Sequence, residues 1–398
     1  MENQFLHPLS EKYGMRIQHD QKTANCHAGG KMKVGILTFP NSTSHGASLQ
    51  MYALYRAVAE AGCEVEIINY FNSYMKAQKH LDRIRGAIFL EQLLRVNAAR
   101  LIHRRKYREF AAFEKAMTKY PPRPVSSSER LIQIGERYDA VICGSDQVWN
   151  PDITDSDLSY FLNFCGEKTA RISYAPSFGV EKLSSEYAGK VSRELERFQA
   201  LSVRETEGQK LIKEITGLDS QLVVDPTMLF DGEWWTEHEK YHPCGDGEYI
   251  LYYTVRSSEA LWQHCLRLAE ELDMKVIRIG SNFISKGFKE NERVKHACDV
   301  GPQEWLYLVH NASYVVTNSF HGTAFAINYR KDFCVEFSSH TNSRLANIVR
   351  LFGLESQVFD KSGSQPSKKT DYTATELRLP KFRERSITFL NKALMKQK

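Results

Sequence analysis

Short apolar runs of strand length alternate with longer segments of helical period from Lys33 to Phe352, and this alternation limits the fold more than any other feature. Strands that take turns with helices pair in parallel, and both faces of such a sheet must be covered. The first unit sets the pattern. A buried strand is expected at 33–38, a turn-rich loop at 39–46, a helix at 47–61 stopped by Gly62, and a second strand at 64–69. Further strands are expected at 138–143, 171–175, 201–203 and 221–224, with helices over 78–118, 184–200 and up to Thr216. A stretch at 226–248 holds two Pro and three Gly with few periodic apolar residues, which reads as a domain boundary. Beyond it the rhythm resumes, with strands at 249–255, 275–280, 313–317 and 333–337. Helices are expected at 258–273, 302–311, 321–330, 342–352 and about 374–395.

The expected fold is therefore α/β: two Rossmann-like, doubly wound domains, 32–226 and 249–372, joined by a linker at 227–248 and facing a cleft. Residues 1–31 read as a flexible tail, about 76–118 as a basic helical insertion in the first domain, and 373–398 as a terminal helix. Ligands of such sheets bind beyond the carboxyl ends of the strands, so chemistry is expected in the strand-to-helix loops.

Composition narrows the class further. With 42% hydrophobic and 25% charged residues over 398 positions, the chain has material for large cores, and no apolar run reaches the length of a membrane span. The first 31 residues lack the apolar centre of a signal peptide, so a cytoplasmic location is expected. The eight cysteines are scattered with no C-x-x-C pair, which suits isolated thiols in a reducing compartment and offers no metal cluster. A net charge of +5 is too small to imply nucleic acid, and residues 76–108, with ten Lys or Arg against two acids, carry all of that excess.

Four strand-end loops stand out. Asn41 to Gln50 is small and polar, and opens a helix. It either brings backbone N–H groups to an anion or is a plain turn with N-capping serines. In Gly144-Ser145-Asp146-Gln147-Val148-Trp149-Asn150, Asp146 can position or deprotonate a hydroxyl, or simply cap the next helix. In Ser202-Val203-Arg204-Glu205, Arg204 can hold a carboxylate or phosphate bidentately, or pair locally with Glu205 on a solvated helix start. The sharpest signal is Thr317-Asn318-Ser319-Phe320-His321-Gly322-Thr323. There Ser319 can cap a helix, Gly322 can let a ligand approach the backbone, and His321 sits in the first turn, where the helix dipole attracts anions. That dipole contributes only about 0.3–1 kcal/mol, so arginines should converge on any multiply charged ligand. Arg204 and Arg344, the latter at the start of a helix, are the candidates by position.

The ordered set of these segments resembles the polysaccharide pyruvyl transferase family. The resemblance runs from Gly35 to about Gly353 and includes Gly46 to Leu54, Glu64 to Tyr70, Gly144 to Asn150, and Ser173 to Gly179. It continues through Ser202 to Glu205, Val224 to Leu229, Ser319 to Thr323, and Ser343 to Leu345. It implies a GT-B-like pair of domains, with the last helix crossing back to the first. It further implies phosphoenolpyruvate as donor substrate with no separate cofactor, a sugar hydroxyl pair as acceptor, and a pyruvate ketal and phosphate as products. Carried over by motif, His321 and Arg204 face the donor, with Arg344, Ser319 and Gly322 beside them. His321 and Asp146 are the catalytic candidates, His321 for holding the donor phosphate and for proton transfer and Asp146, with Gln147, for orienting the acceptor. The first loop departs from the family by having Ser44-His45-Gly46 where Asn-Tyr-Gly is usual, which makes His45 an acceptor-contact candidate.

Two other classes use the same residues: a nucleotide-sugar glycosyltransferase that sets His321 and Arg204 against a diphosphate, and a non-catalytic sugar- or anion-binding relative. The basic segment 83–108 reads either as an amphipathic helix lying on an anionic membrane, where a lipid-linked acceptor would be met, or as an ordinary packing helix.

Overall fold

The computed structural model describes residues 31–40, 42–70, 90–120, 125, 127–280, 292–337, 342–360 and 366–395. The first half is a parallel sheet of strands β1 (Lys33–Leu37), β2 (Glu64–Ile67), β3 (Ala140–Cys143) and β4 (Ala170–Ser173), in the order β2-β1-β3-β4. Strands β5 (Ser202–Val203) and β6 (Gln221–Leu222) form a short parallel pair beside it. Seryl hydroxyls join the two sheets. Ser202 N donates to Ser173 Oγ at 2.8 Å, and Ser202 Oγ donates to the Ser173 carbonyl at 2.7 Å.

The second half is a six-stranded, all-parallel sheet. Its strands are β7 (Tyr249–Tyr253), β8 (Lys275–Ile279), β9 (Val294–Ala297), β10 (Tyr314–Thr317), β11 (Asp332–Glu336) and β12 (Val358–Phe359). They run in the order β12-β11-β10-β7-β8-β9. Residues of β3 and β10 are buried throughout, as expected of strands covered on both faces. The strand order reverses between β1 and β3 in one sheet and between β7 and β10 in the other. Those two switch points are where crevices open in folds of this kind.

Several expectations change in detail. The first helix begins at His45 rather than Ala47, because Ser44 has extended backbone and its side chain caps Ala47 N, so His45 and Gly46 enter the first turn. The helix expected over 184–200 ends at Leu195, and the one expected over 78–118 is described as Leu90–Met117. The tail 1–30 and the start of the basic insertion, 71–89, lie outside the described residues. Strands β9 and β12 and the helix Ser128–Gly135 are too short to leave a readable period.

The stretch read as a linker, 227–248, is densely packed. Trp234 stacks on Phe230 with ring centroids 4.0 Å apart and on His238 at 4.1 Å, while the Trp235 indole N–H donates to the Thr227 carbonyl at 2.9 Å. Aromatic residues adjacent in sequence pack without any period, which is why pattern reading saw only turns here. One core cluster consequently runs from Val34 and Ile36 through Trp235 to Leu251 and Phe325. The terminal helix Thr373–Met395 reaches residues of the first half: Ser386 Oγ accepts from Val224 N at 3.0 Å, and Arg383 Nε donates to the Met228 carbonyl at 2.9 Å. Among the described residues, no helix is long and apolar enough to cross a membrane.

Candidate active site

Asp225 follows β6, is buried, and gathers the strand-end loops. Its Oδ1 accepts from Thr227 N at 3.0 Å and Thr227 Oγ1 at 2.7 Å. Its Oδ2 accepts from Ser145 Oγ at 2.9 Å, at the end of β3, and from Arg204 Nη1 at 2.8 Å, at the end of β5. His321, in the first turn of the helix Phe320–Asn328 after β10, brings Nε2 to 3.7 Å from the same Oδ2. That separation is an ion-pair distance rather than a hydrogen bond. Burial alone would raise the Asp225 carboxyl, but His321, Arg204 and Thr227 together hold it well below the usual carboxylate range.

The nitrogen groups around this carboxylate are incompletely used. Arg204 sits over the Phe320 ring, its guanidinium carbon 4.2 Å from the centroid, and its Nε and Nη2 are buried without hydrogen-bond partners. His321 Nε2 is likewise buried without one. An unmet buried donor costs about 1–3 kcal/mol, more when charged, so this corner is built to receive an acceptor-rich group. Arg344, on the helix Asn342–Phe352, is buried too, and burial together with the charge of Arg204 brings its guanidinium down to about 10. With the Gln147 amide oxygen turned toward it, Arg344 donates from Nη1 and Nη2 at 3.2 and 3.3 Å. Asp146 is half-buried and adopts φ +80°, unusual for a residue with a Cβ, with its Oδ1 accepting from Gln147 N at 2.8 Å. Strained backbone of this kind gathers at functional sites.

Arg204, Arg344, His321, Asp146 and Gln147 are thus brought together, and the local Arg204–Glu205 pair, Nε to Oε2 at 3.6 Å, is buried rather than on a solvated helix start. The remaining candidates have other duties. His45 is buried, its Nε2 lies 3.0 Å from the Val300 carbonyl, and its ring stacks on Trp305 at 5.6 Å. Burial and the nearby Lys106 push its imidazole down to about 3, so it ties the first helix to the second half instead of facing an acceptor. Ser319 Oγ accepts from Gly322 N at 3.3 Å and is occupied as a cap. The space beside Gly322, expected to admit a ligand, is filled by Thr317 Oγ1 and Tyr253.

Three site residues escape a reading of the individual loops. Asp225 appears only as a member of a longer motif, and Glu205 only as a local partner for Arg204. The third is Gly46, where a Cβ would overlap the imidazole of His321, so the first loop meets the fourth directly. Asp225 had one local signal: an acidic residue between a strand and a proline that can start a helical turn.

The sequence profile of the polysaccharide pyruvyl transferase family matches residues 45–335. A search of curated proteins gives no match. Among solved structures, the chain is similar to the UDP-GlcNAc 2-epimerase of Neisseria meningitidis bound to UDP-GlcNAc. Identity is 12% over 92% of this chain and 100% of that one, with a TM-score of 0.50. The UDP-N-acetylglucosamine 2-epimerase of Rickettsia bellii is similar at 9% identity, over 92% and 96% of the two chains, with a TM-score of 0.48. An Escherichia coli heptosyltransferase is similar at 12% identity, over 77% and 89%, with a TM-score of 0.39. The fold is accordingly of the GT-B type, two Rossmann-like units opposed across a crevice.

Proposed function

Because the chain belongs to the polysaccharide pyruvyl transferase family, we propose that it transfers pyruvate from phosphoenolpyruvate to two hydroxyls of a sugar, forming a pyruvate ketal for a cell-surface polysaccharide and releasing phosphate. The observation that carries this reading is the buried trio Arg204, His321 and Arg344: at Asp225, Arg204 Nε and Nη2 and His321 Nε2 lack hydrogen-bond partners, and Arg344 adds its charge beside Arg204, which suits a compact donor bearing both phosphate and carboxylate. In this scheme Arg204 and His321 hold the phosphate, Arg344 the carboxylate, and Asp146 with Gln147 orients the acceptor at the crevice mouth.

The methylene carbon of the enol phosphate takes a proton, and its carbon–carbon π pair becomes the new C–H bond. The neighbouring carbon turns oxocarbenium-like and accepts one sugar hydroxyl. The second hydroxyl then displaces phosphate. Holding two reactants in register can contribute several kcal/mol to such a reaction, and charge stabilisation by fixed cations adds to it. Nothing in the scheme asks for a metal or cofactor. We place the reaction in the cytoplasm, with a lipid-linked sugar as one form of acceptor.

The test is phosphate release from phosphoenolpyruvate in the presence of a β-galactoside, with the product checked by mass for an added pyruvate ketal. Turnover of a nucleotide sugar in its place would move the protein among glycosyltransferases. Phosphoenolpyruvate binding without turnover on any sugar would make it a binding relative.

A further inference from the structure

The scheme needs a proton donor for the methylene carbon, and the groups nearest the trio differ sharply in their ability to supply one. Asp225 accepts four hydrogen bonds, from Ser145, Arg204 and twice from Thr227, and has no oxygen free to carry a proton. Asp146 has one oxygen committed to Gln147 N and is open to water. Glu205 is different: it is 3% exposed, its Oε2 lies 3.6 Å from Arg204 Nε, and that oxygen has no hydrogen-bond partner.

We propose that Glu205 carries the reaction's proton, becoming a neutral carboxyl when the phosphorylated donor enters and passing that proton to the methylene carbon. The inference rests on the reading above. The groups facing Glu205 are its neighbour Arg204, the Ser177 hydroxyl, Arg344 from the helix Asn342–Phe352, and Glu207 in the first turn of the helix that Glu205 caps. Arg204 is already neutralised by Asp225 at 2.8 Å. An ionised Glu205 would therefore set its charge against Arg344 and weaken the pull of this corner on a donor that brings a carboxylate and a phosphate. A neutral Glu205 restores one positive charge and turns a repelling oxygen into a hydrogen-bond donor. Burial already pushes this carboxyl up, against the pull of Arg204, Ser177 and Arg344, while Asp225, on the same Arg204 guanidinium, is held down.

The step balances. The Glu205 O–H bond breaks with its electron pair left on the carboxylate, and the donor's π pair forms the C–H bond. The first sugar hydroxyl bonds to the adjacent carbon and returns its proton to that carboxylate. The second hydroxyl bonds in turn, its proton leaving with the phosphate.

Calorimetric titration of phosphoenolpyruvate into the full chain, in Tris and in HEPES, reads the protons taken up on binding. Wild type should take up about one proton more per site than Glu205→Gln, and Glu205→Asp should restore the difference. A second measurement needs no variant. The infrared difference spectrum of wild type on donor binding should gain the C=O stretch of a neutral carboxyl, shifted by carbon-13-labelled glutamate. Equal proton uptake in wild type and Glu205→Gln, or the absence of that glutamate band, overturns the inference while leaving the donor assignment standing. Failure of wild type to bind phosphoenolpyruvate overturns both.

Discussion

His321 Nε2 and Asp225 Oδ2 stand 3.7 Å apart although one follows β10 and the other β6, and the same oxygen accepts from Ser145 after β3, so a single carboxylate joins strand ends of the two halves. The carboxylate orients the cations without itself being free to react. Its replacement should therefore be costly in two separable ways.

Asp225→Asn keeps the shape but presents N–H groups where Arg204 and Ser145 or Thr227 need an acceptor. Breaking one partner out of a buried ion pair costs about 3–5 kcal/mol, so urea denaturation should show a loss of that order. Ser145→Ala, which removes one hydroxyl bond to the carboxylate and leaves its pairing with Arg204 in place, should lose less, about 1.5–3 kcal/mol. In the folded fraction of Asp225→Asn, KM for phosphoenolpyruvate should rise far more than in Ser145→Ala. Equal KM values in the two variants would mean that Asp225 is scaffold only.

Two glycines separate packing from function. A Cβ on Gly322 meets Thr317 and Tyr253, whereas a Cβ on Gly46 meets the His321 ring itself. Both alanine variants overpack and should lose about 1–3 kcal/mol. Phosphate release per folded molecule should fall at least tenfold for Gly46→Ala, because the imidazole must move, and should be nearly unchanged for Gly322→Ala. A reversed ranking would place the reacting corner elsewhere.

How much of this was legible depends on the distance over which each signal acts. The parallel sheets, and the placement of His321 and Arg204 at strand ends, follow from local periodicity and loop chemistry. His45 looked like a site residue because it lies in a site loop, but one turn of helix geometry points its ring into Trp305 and Val300 instead. Asp225 shows the opposite failure. Its importance lies in partners 21, 80 and 96 positions away in sequence, and no local pattern encodes that convergence. The seam around Trp234 and Trp235 was missed because contiguous aromatic residues pack without period.

His45 gives a pH prediction of definite sign. Its imidazole is held at about 3 in the folded chain against an ordinary value near 6.5, so the folded state stays neutral where the unfolded state takes a proton. Stability is therefore unaffected by this residue above about pH 6.5 and falls as pH drops toward 3, by about 1.4 kcal/mol per unit. His45→Asn loses the stacking on Trp305 but also the proton. The stability gap between wild type and His45→Asn, followed by denaturant unfolding, should shrink steadily from pH 7 to pH 5. A gap constant over that range would mean the imidazole titrates normally.

The basic helix yields the last prediction, narrowed by where its side chains go. Arg105 donates to Asp299 at 2.8 Å and to the buried Glu304 at 2.5 Å, fastening the helix Leu90–Met117 to the second half of the molecule. Lys106 is half-buried, 5.6 Å from the Phe110 ring centroid, and burial lowers its ammonium. Arg104 and Arg108 remain exposed and are available to an anionic surface. Each basic residue near such a surface contributes about 1 kcal/mol, and salt screens it. Reversing Arg104 and Arg108 to Glu should thus weaken sedimentation with anionic vesicles at low salt by well over tenfold, at unchanged melting temperature. Arg105→Glu should act the other way: it sets a third carboxylate beside Asp299 and Glu304, so the melting temperature should fall whatever happens to vesicle binding. Equal sedimentation of wild type with anionic and neutral vesicles, or none with either, would remove the membrane surface from the account and leave this helix as a fastening between the two halves.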